Sequence, residues 1–176
     1  MKLFRAMTSA VFVAIGAMSR ADPAPTIHYA PAENLERVDV ALIDSAKNEI
    51  AAYVLTDWPV IQALTRAVDC GVKVRIYLDS GRLGETAQSK AFRELAETPD
   101  GEIRVKRDNS TLMHLKSYEI DGHVLRPGAA NFSASGLKRE DDDLIVIECA
   151  EAAMAFKRNF EARFPSGALL SINHWQ

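Results

Sequence analysis

Short apolar runs of strand length, separated by stretches with helical spacing, constrain this chain more than any other feature. Residues 49–55, 72–78 and 144–149 are such runs and read as strands, the first and last of them buried. Between them, Leu35, Val38, Leu42 and Ala46 recur at spacings of three and four, which predicts an amphipathic helix. Asp57 is placed to cap a second helix, with Pro59 in its first turn, Ile61, Leu64 and Val68 facing inward, and Gly71 at its end. A third helix is expected over 85–98, stopped by Pro99-Asp100-Gly101, and a closing helix over 151–164 with Met154, Phe156, Phe160 and Phe164 as core positions. Short strands are expected at 26–29 and 103–106. Residues 115–120 and 123–126 read as a hairpin around Asp121-Gly122. Strands alternating with helices imply a layered α/β domain, and the hairpin makes its sheet mixed.

A length of 176 residues suits one core. The expected boundaries are a signal peptide over 1–21, a linker and first strand over 22–32, a catalytic domain over 33–165 and a tail over 166–176. The signal reading rests on Lys2 and Arg5, an apolar stretch from Met7 to Met18, and Ser19-Arg20-Ala21 as a cleavage site. It implies a secreted or periplasmic protein. Cleavage after Ala21 removes three cations and no acid, taking the net charge from -3 to -6. An acidic protein has no global attraction for polyanions, so any such binding must be local. Cys70 and Cys149 are expected as small buried residues, although an oxidising compartment would allow them to pair.

The chemistry is concentrated in His114-Leu-Lys116-Ser-Tyr-Glu-Ile-Asp121 and Gly128-Ala-Ala-Asn131. On a strand, residues 114 and 116 share a face, so an imidazole and an ammonium would be presented together. An imidazole can attack phosphorus or protonate a leaving oxygen. A lysine and an asparagine can hold the non-bridging oxygens where charge gathers in the transition state. A glycine allows backbone to approach a phosphate closely. No cluster of metal ligands accompanies these residues, so neither metal nor cofactor is expected.

This pattern resembles the phospholipase D superfamily and its motif H-x-K-x4-D-x6-G-x2-N. His114, Lys116, Asp121, Gly128 and Asn131 occupy all five fixed positions. The resemblance spans about residues 33 to 165 and is greatest to the small single-motif bacterial endonucleases and the mitochondrial cardiolipin hydrolase-like enzymes. It implies an α/β/α sandwich and a metal-independent phosphodiesterase acting through a phosphohistidine. It assigns His114, Lys116 and Asp121 to catalysis, and Lys116, Gly128 and Asn131 to the phosphate. Two motifs make one site in this superfamily, so a single copy implies a homodimer. Ala129 stands where the family usually has serine, removing one hydroxyl contact. An acidic residue before the last strand commonly orients the histidine. Asp142 fits best by spacing, with Asp141 and Asp143 as alternatives.

The weaker candidates have plainer readings. His28, His123 and His174 fit no motif and read as structural or incidental. Arg104, Lys106 and Arg107 precede the motif and could steer a polyanion, although charges on a short exposed strand are more often solvated. Two substrates fit the motif: a nucleic acid, favoured by the small single-motif organisation, and a membrane phospholipid. A catalytically dead phosphate-binding module is a third reading, opposed by the intact His114 and Lys116.

Overall fold

The computed structural model describes residues 22–53, 57–82, 90–107 and 111–170. The expected signal peptide, His174 and the expected start of the third helix lie outside the described residues. Eight strands form one mixed sheet: β1 (Thr26–Tyr29), β2 (Glu49–Tyr53), β3 (Lys73–Leu78), β4 (Gly101–Val105), β5 (Tyr118–Ile120), β6 (Val124–Arg126), β7 (Asp143–Glu148) and β8 (Ala168–Leu169). Their order is β1-β7-β6-β5-β2-β3-β4-β8. β2, β3 and β4 run parallel, and every other neighbouring pair is antiparallel.

The helices are α1 (Leu35–Asp44), α2 (Trp58–Asp69), α3 (Lys90–Glu97) and α4 (Ala150–Arg163). Strand alternation divides the core between two faces. Ile50, Ala52, Val74 and Ile76 point to the side that packs on α1, α2 and α3. Ala51, Tyr53 and Tyr77 point to the other side, against Phe160 and Phe164 at the end of α4. Edge-on ring contacts of 5.4 Å join Tyr53 to both Phe156 and Phe160. This is the expected α/β/α layering.

Several local expectations are corrected. α1 buries Leu35, Asp39 and Ile43, while Val38 and Leu42 sit at the margin of the core. The helix is rotated because Asp39 is drawn inward by a buried arginine described below. Met154 is 43% exposed. The inward ridge of α4 runs through Ala153, Phe156, Phe160 and on to Phe164, and Met154 lies off it. β7 is not buried throughout: Leu144 and Val146 face the core and Ile145 and Ile147 are half-buried. Residues 168–169, expected in a tail, pair with β4.

The hairpin turn has three residues rather than two, because Ile120 pairs with Val124. Asp121 (φ 54°) and Gly122 (φ 65°) are left-handed, and His123 N–H donates to the Ile120 carbonyl at 3.0 Å. The cysteines are free, with Cys70 exposed and Cys149 half-buried. They are not core residues because they stand at the C-cap of α2 and the N-cap of α4.

Candidate active site

The parallel strands β2 to β4 all end on one side of the sheet, where clefts form in open α/β folds. β5 is antiparallel to β2, with Ala52 opposite Tyr118. The chain preceding Tyr118 therefore extends past the carboxyl end of β2. His114 and Lys116 lie in this segment, which is not a ladder strand as expected; β5 begins only at Tyr118. Its backbone is held by other means. Met113 N–H donates to the Asp79 carboxylate at 2.9 Å, Tyr53 N–H donates to the Ser117 carbonyl at 3.0 Å, and an Arg126 guanidinium N–H donates to the Lys116 carbonyl at 3.0 Å.

The two side chains still meet. Lys116 Nζ lies 3.0 Å from both Nδ1 and Nε2 of His114, and 3.2 Å from the His114 carbonyl. Leu115 between them is 43% exposed.

The phosphate-binding candidates sit on the loop between β6 and β7. A Cβ on Gly128 would lie 2.6 Å from the Asp143 carbonyl oxygen and 3.0 Å from Leu144 Cα, so only glycine fits there. Ala129 N–H donates to Asp143 Oδ1 at 2.7 Å, and Ala130 N–H donates to the Asp143 carbonyl at 3.1 Å. These bonds lay the loop along the start of β7. Ala130 is buried and Asn131 is exposed.

The three candidate carboxylates differ. Asp143 is engaged by Ala129, and Asp141 is exposed. Asp142 Oδ2 is sealed from solvent and has no hydrogen-bond partner among the described residues. Burial, then Glu140 and Asp143, push the Asp142 carboxyl above its ordinary range, while Lys116 and Arg126 pull it down.

Asp121 is not brought to this group. Its Oδ2 accepts from Lys47 N–H at 2.9 Å, and its Oδ1 from Asn48 N–H at 2.8 Å and Glu49 N–H at 2.9 Å. It fastens the hairpin turn to the start of β2, at the end of β5 away from His114. The role the structure gives Asp121 is therefore structural, a correction to its expected place in catalysis. His123 is exposed in the same turn, and His28 bonds Glu33 at 2.8 Å.

Sequence reasoning missed the group beneath the site. Arg126 and Asp39 are fully buried and paired through two hydrogen bonds, and the Tyr118 hydroxyl donates to Asp39 Oδ1 at 2.8 Å. The guanidinium also lies 4.4 Å from the centre of the Phe132 ring, next to Asn131. The signal was present: one acid and one base each interrupt an apolar period, on α1 and on β6.

A family model described as the PLD-like domain of cardiolipin synthase matches residues 40–164. The chain belongs to the phospholipase D superfamily. Among curated superfamily relatives, a phospholipase D of Rickettsia bellii is 34% identical over 124 residues, covering 69% of this chain and 59% of that protein. One of Rickettsia conorii is 34% identical over 121 residues, covering 67% and 58%. The chain thus spans less than two thirds of the length of these relatives.

The fold is shared with the phospholipase D family member Nuc from Salmonella typhimurium. Their TM-score is 0.71 at 23% identity, over 84% of this chain and 97% of that one. NucT from Helicobacter pylori gives a TM-score of 0.72 at 18% identity, over 84% and 99%.

Proposed function

We propose that this superfamily member is a metal-independent phosphodiesterase, with His114 as nucleophile and nucleic acid as substrate. The observation that carries the reading is the ammonium of Lys116 held 3.0 Å from the imidazole of His114. A His114 ring nitrogen attacks phosphorus as the bond to the leaving oxygen breaks, giving a phosphohistidine. The leaving oxygen takes a proton from His114 of the partner subunit, so the active form is a homodimer sharing one site. That second imidazole then takes a proton from water as the water attacks phosphorus and frees the first histidine. Lys116 and Asn131 of both chains hold the non-bridging oxygens. Asp142 serves as the carboxylate that orients the imidazole, and residues 1–21 as a leader directing the enzyme out of the cytoplasm.

A second reading, phospholipid hydrolysis, is favoured by Leu112 and Leu115. They are 60% and 43% exposed beside His114, where they could enter a lipid surface. The name carried by the Rickettsia relatives points the same way.

The test is a side-by-side assay on bis(p-nitrophenyl) phosphate, an oligonucleotide and phospholipid vesicles, with and without EDTA. Hydrolysis is expected to survive EDTA and to vanish in His114→Asn with the fold retained. Turnover by that variant, or a requirement for a divalent ion, overturns the reading.

A further inference from the structure

An open cavity of about 580 Å³ adjoins His114. Lys106, Arg163, Leu112, Leu115 and Ser166 line it together with the histidine, and no carboxylate does so among the described residues. That is unusual in a chain of net charge -3. Arg66, Arg75, Arg104, Arg126, Lys138 and Lys157 each pair with an acid. Lys106 instead donates to the carbonyl and hydroxyl of Thr111, which hold its ammonium at the cavity wall. Arg163 donates to the Asn159 carbonyl at 3.3 Å. Neither cation has a carboxylate partner among the described residues, so both retain donors that an incoming anion can use.

We propose that this cavity is a subsite for a second phosphate of a polynucleotide strand, bound by Lys106 and Arg163 while His114 attacks the adjacent diester. The proposal rests on the phosphodiesterase reading of His114 and specifies its substrate class. A nucleic-acid strand carries one negative charge per nucleotide, so a substrate engaged at His114 presents a further charge beside it. A zwitterionic phospholipid has no second phosphate to offer, and its ammonium head would meet two cations. The acidic chain supplies no global attraction, so capture of a polyanion needs such a local pair. Leu112 and Leu115 give the rim an apolar surface against which bases can lie.

The test compares the full-length chain with Lys106→Gln/Arg163→Gln and with Lys106→Arg/Arg163→Lys. Substrates are a single-stranded 20-mer, bis(p-nitrophenyl) phosphate, which has one phosphate, and anionic phospholipid vesicles. The kcat/KM ratio of oligonucleotide to bis(p-nitrophenyl) phosphate is expected to fall about tenfold in the glutamine variant, through KM. The log–log salt dependence of oligonucleotide binding should become shallower by about 0.7 for each cation removed, and the charge-conserving variant should restore both. An unchanged ratio and salt slope overturn the subsite. So does a loss confined to the vesicles, which would assign the cavity to a lipid head group. Failure of the underlying reading shows separately, as hydrolysis of bis(p-nitrophenyl) phosphate by His114→Asn.

Discussion

The guanidinium of Arg126 grips the carboxylate of Asp39 through two hydrogen bonds, Nε to Oδ1 at 2.8 Å and Nη2 to Oδ2 at 3.0 Å, with neither side chain exposed. Its remaining nitrogen donates to the Lys116 carbonyl. The pair therefore joins α1 to the backbone that carries the lysine of the site. Burial pushes the Asp39 carboxyl up, and Arg126 and Tyr118 pull it back.

Removing one partner leaves the other charge buried. Asp39→Ala is expected to cost about 3–5 kcal/mol in urea unfolding. Asp39→Leu/Arg126→Met strands no charge and should recover at least half of that loss. Its kcat should remain below wild type, because the Lys116 carbonyl has lost its donor. A double variant as unstable as Asp39→Ala alone would contradict this account.

Asp121→Ala tests whether the third fixed position of the motif acts on the chemistry or on the fold. Three backbone N–H groups of residues 47–49 lose their acceptor, and a residue with φ 54° loses the side chain that favours it. Stability is expected to fall by about 2–3 kcal/mol. Below its unfolding midpoint the variant should keep kcat within about threefold of wild type, since the carboxylate is not at the site. A hundredfold loss of kcat in fully folded protein would return Asp121 to catalysis.

These cases mark what the sequence made legible. The layered α/β fold, the mixed sheet and β1 could be read because apolar period and turn chemistry are local properties. The nearness of His114 and Lys116 could also be read, because two residues apart in extended chain share a side with or without a ladder. The role of Asp121 could not, since its partners lie more than 70 positions away in residues 47–49. Asp39 was invisible for the same reason: its burial is tolerable only because Arg126 meets it across the sheet. Spacing favoured Asp142 with Asp141 and Asp143 as alternatives, and it could not show that Asp143 is engaged by the loop on β7 or that Asp141 is exposed.

Asp142 holds a desolvated carboxylate oxygen near Lys116 with no hydrogen-bond partner among the described residues. In the role proposed for it, orienting the imidazole, Asp142 is a positioning residue, so Asp142→Ala should lower kcat while leaving KM within about threefold. A loss of about a hundredfold is expected from misorientation of the ring, and Asp142→Glu should recover part of it. Asp141→Ala, by contrast, should be silent. Equal effects of the two alanine variants, or a loss expressed only in KM, would remove Asp142 from this role.

The last prediction concerns Glu119, on the face of the sheet covered by α4. It is fully buried; Oε2 accepts from Gly122 N–H at 2.8 Å and Oε1 has no partner among the described residues. Ala51 separates it in register from Arg75, which is itself paired to Glu161 at 2.6 Å. Burial pushes its carboxyl from 4.5 to about 7; Asp121 and Glu161 add to the rise, and Gly122 N–H and Arg75 oppose it. Below pH 4.5 the group is protonated both folded and unfolded, and contributes nothing to pH dependence. Between 4.5 and about 7 the unfolded chain releases the proton while the folded chain keeps it, so stability falls as pH rises through this window. Above it the penalty is constant. Glu119→Gln should therefore match wild type near pH 4.5 and exceed it by about 3 kcal/mol at pH 8. Urea unfolding of both proteins across this range measures the difference. A difference independent of pH would show that Glu119 is already ionised in the folded protein.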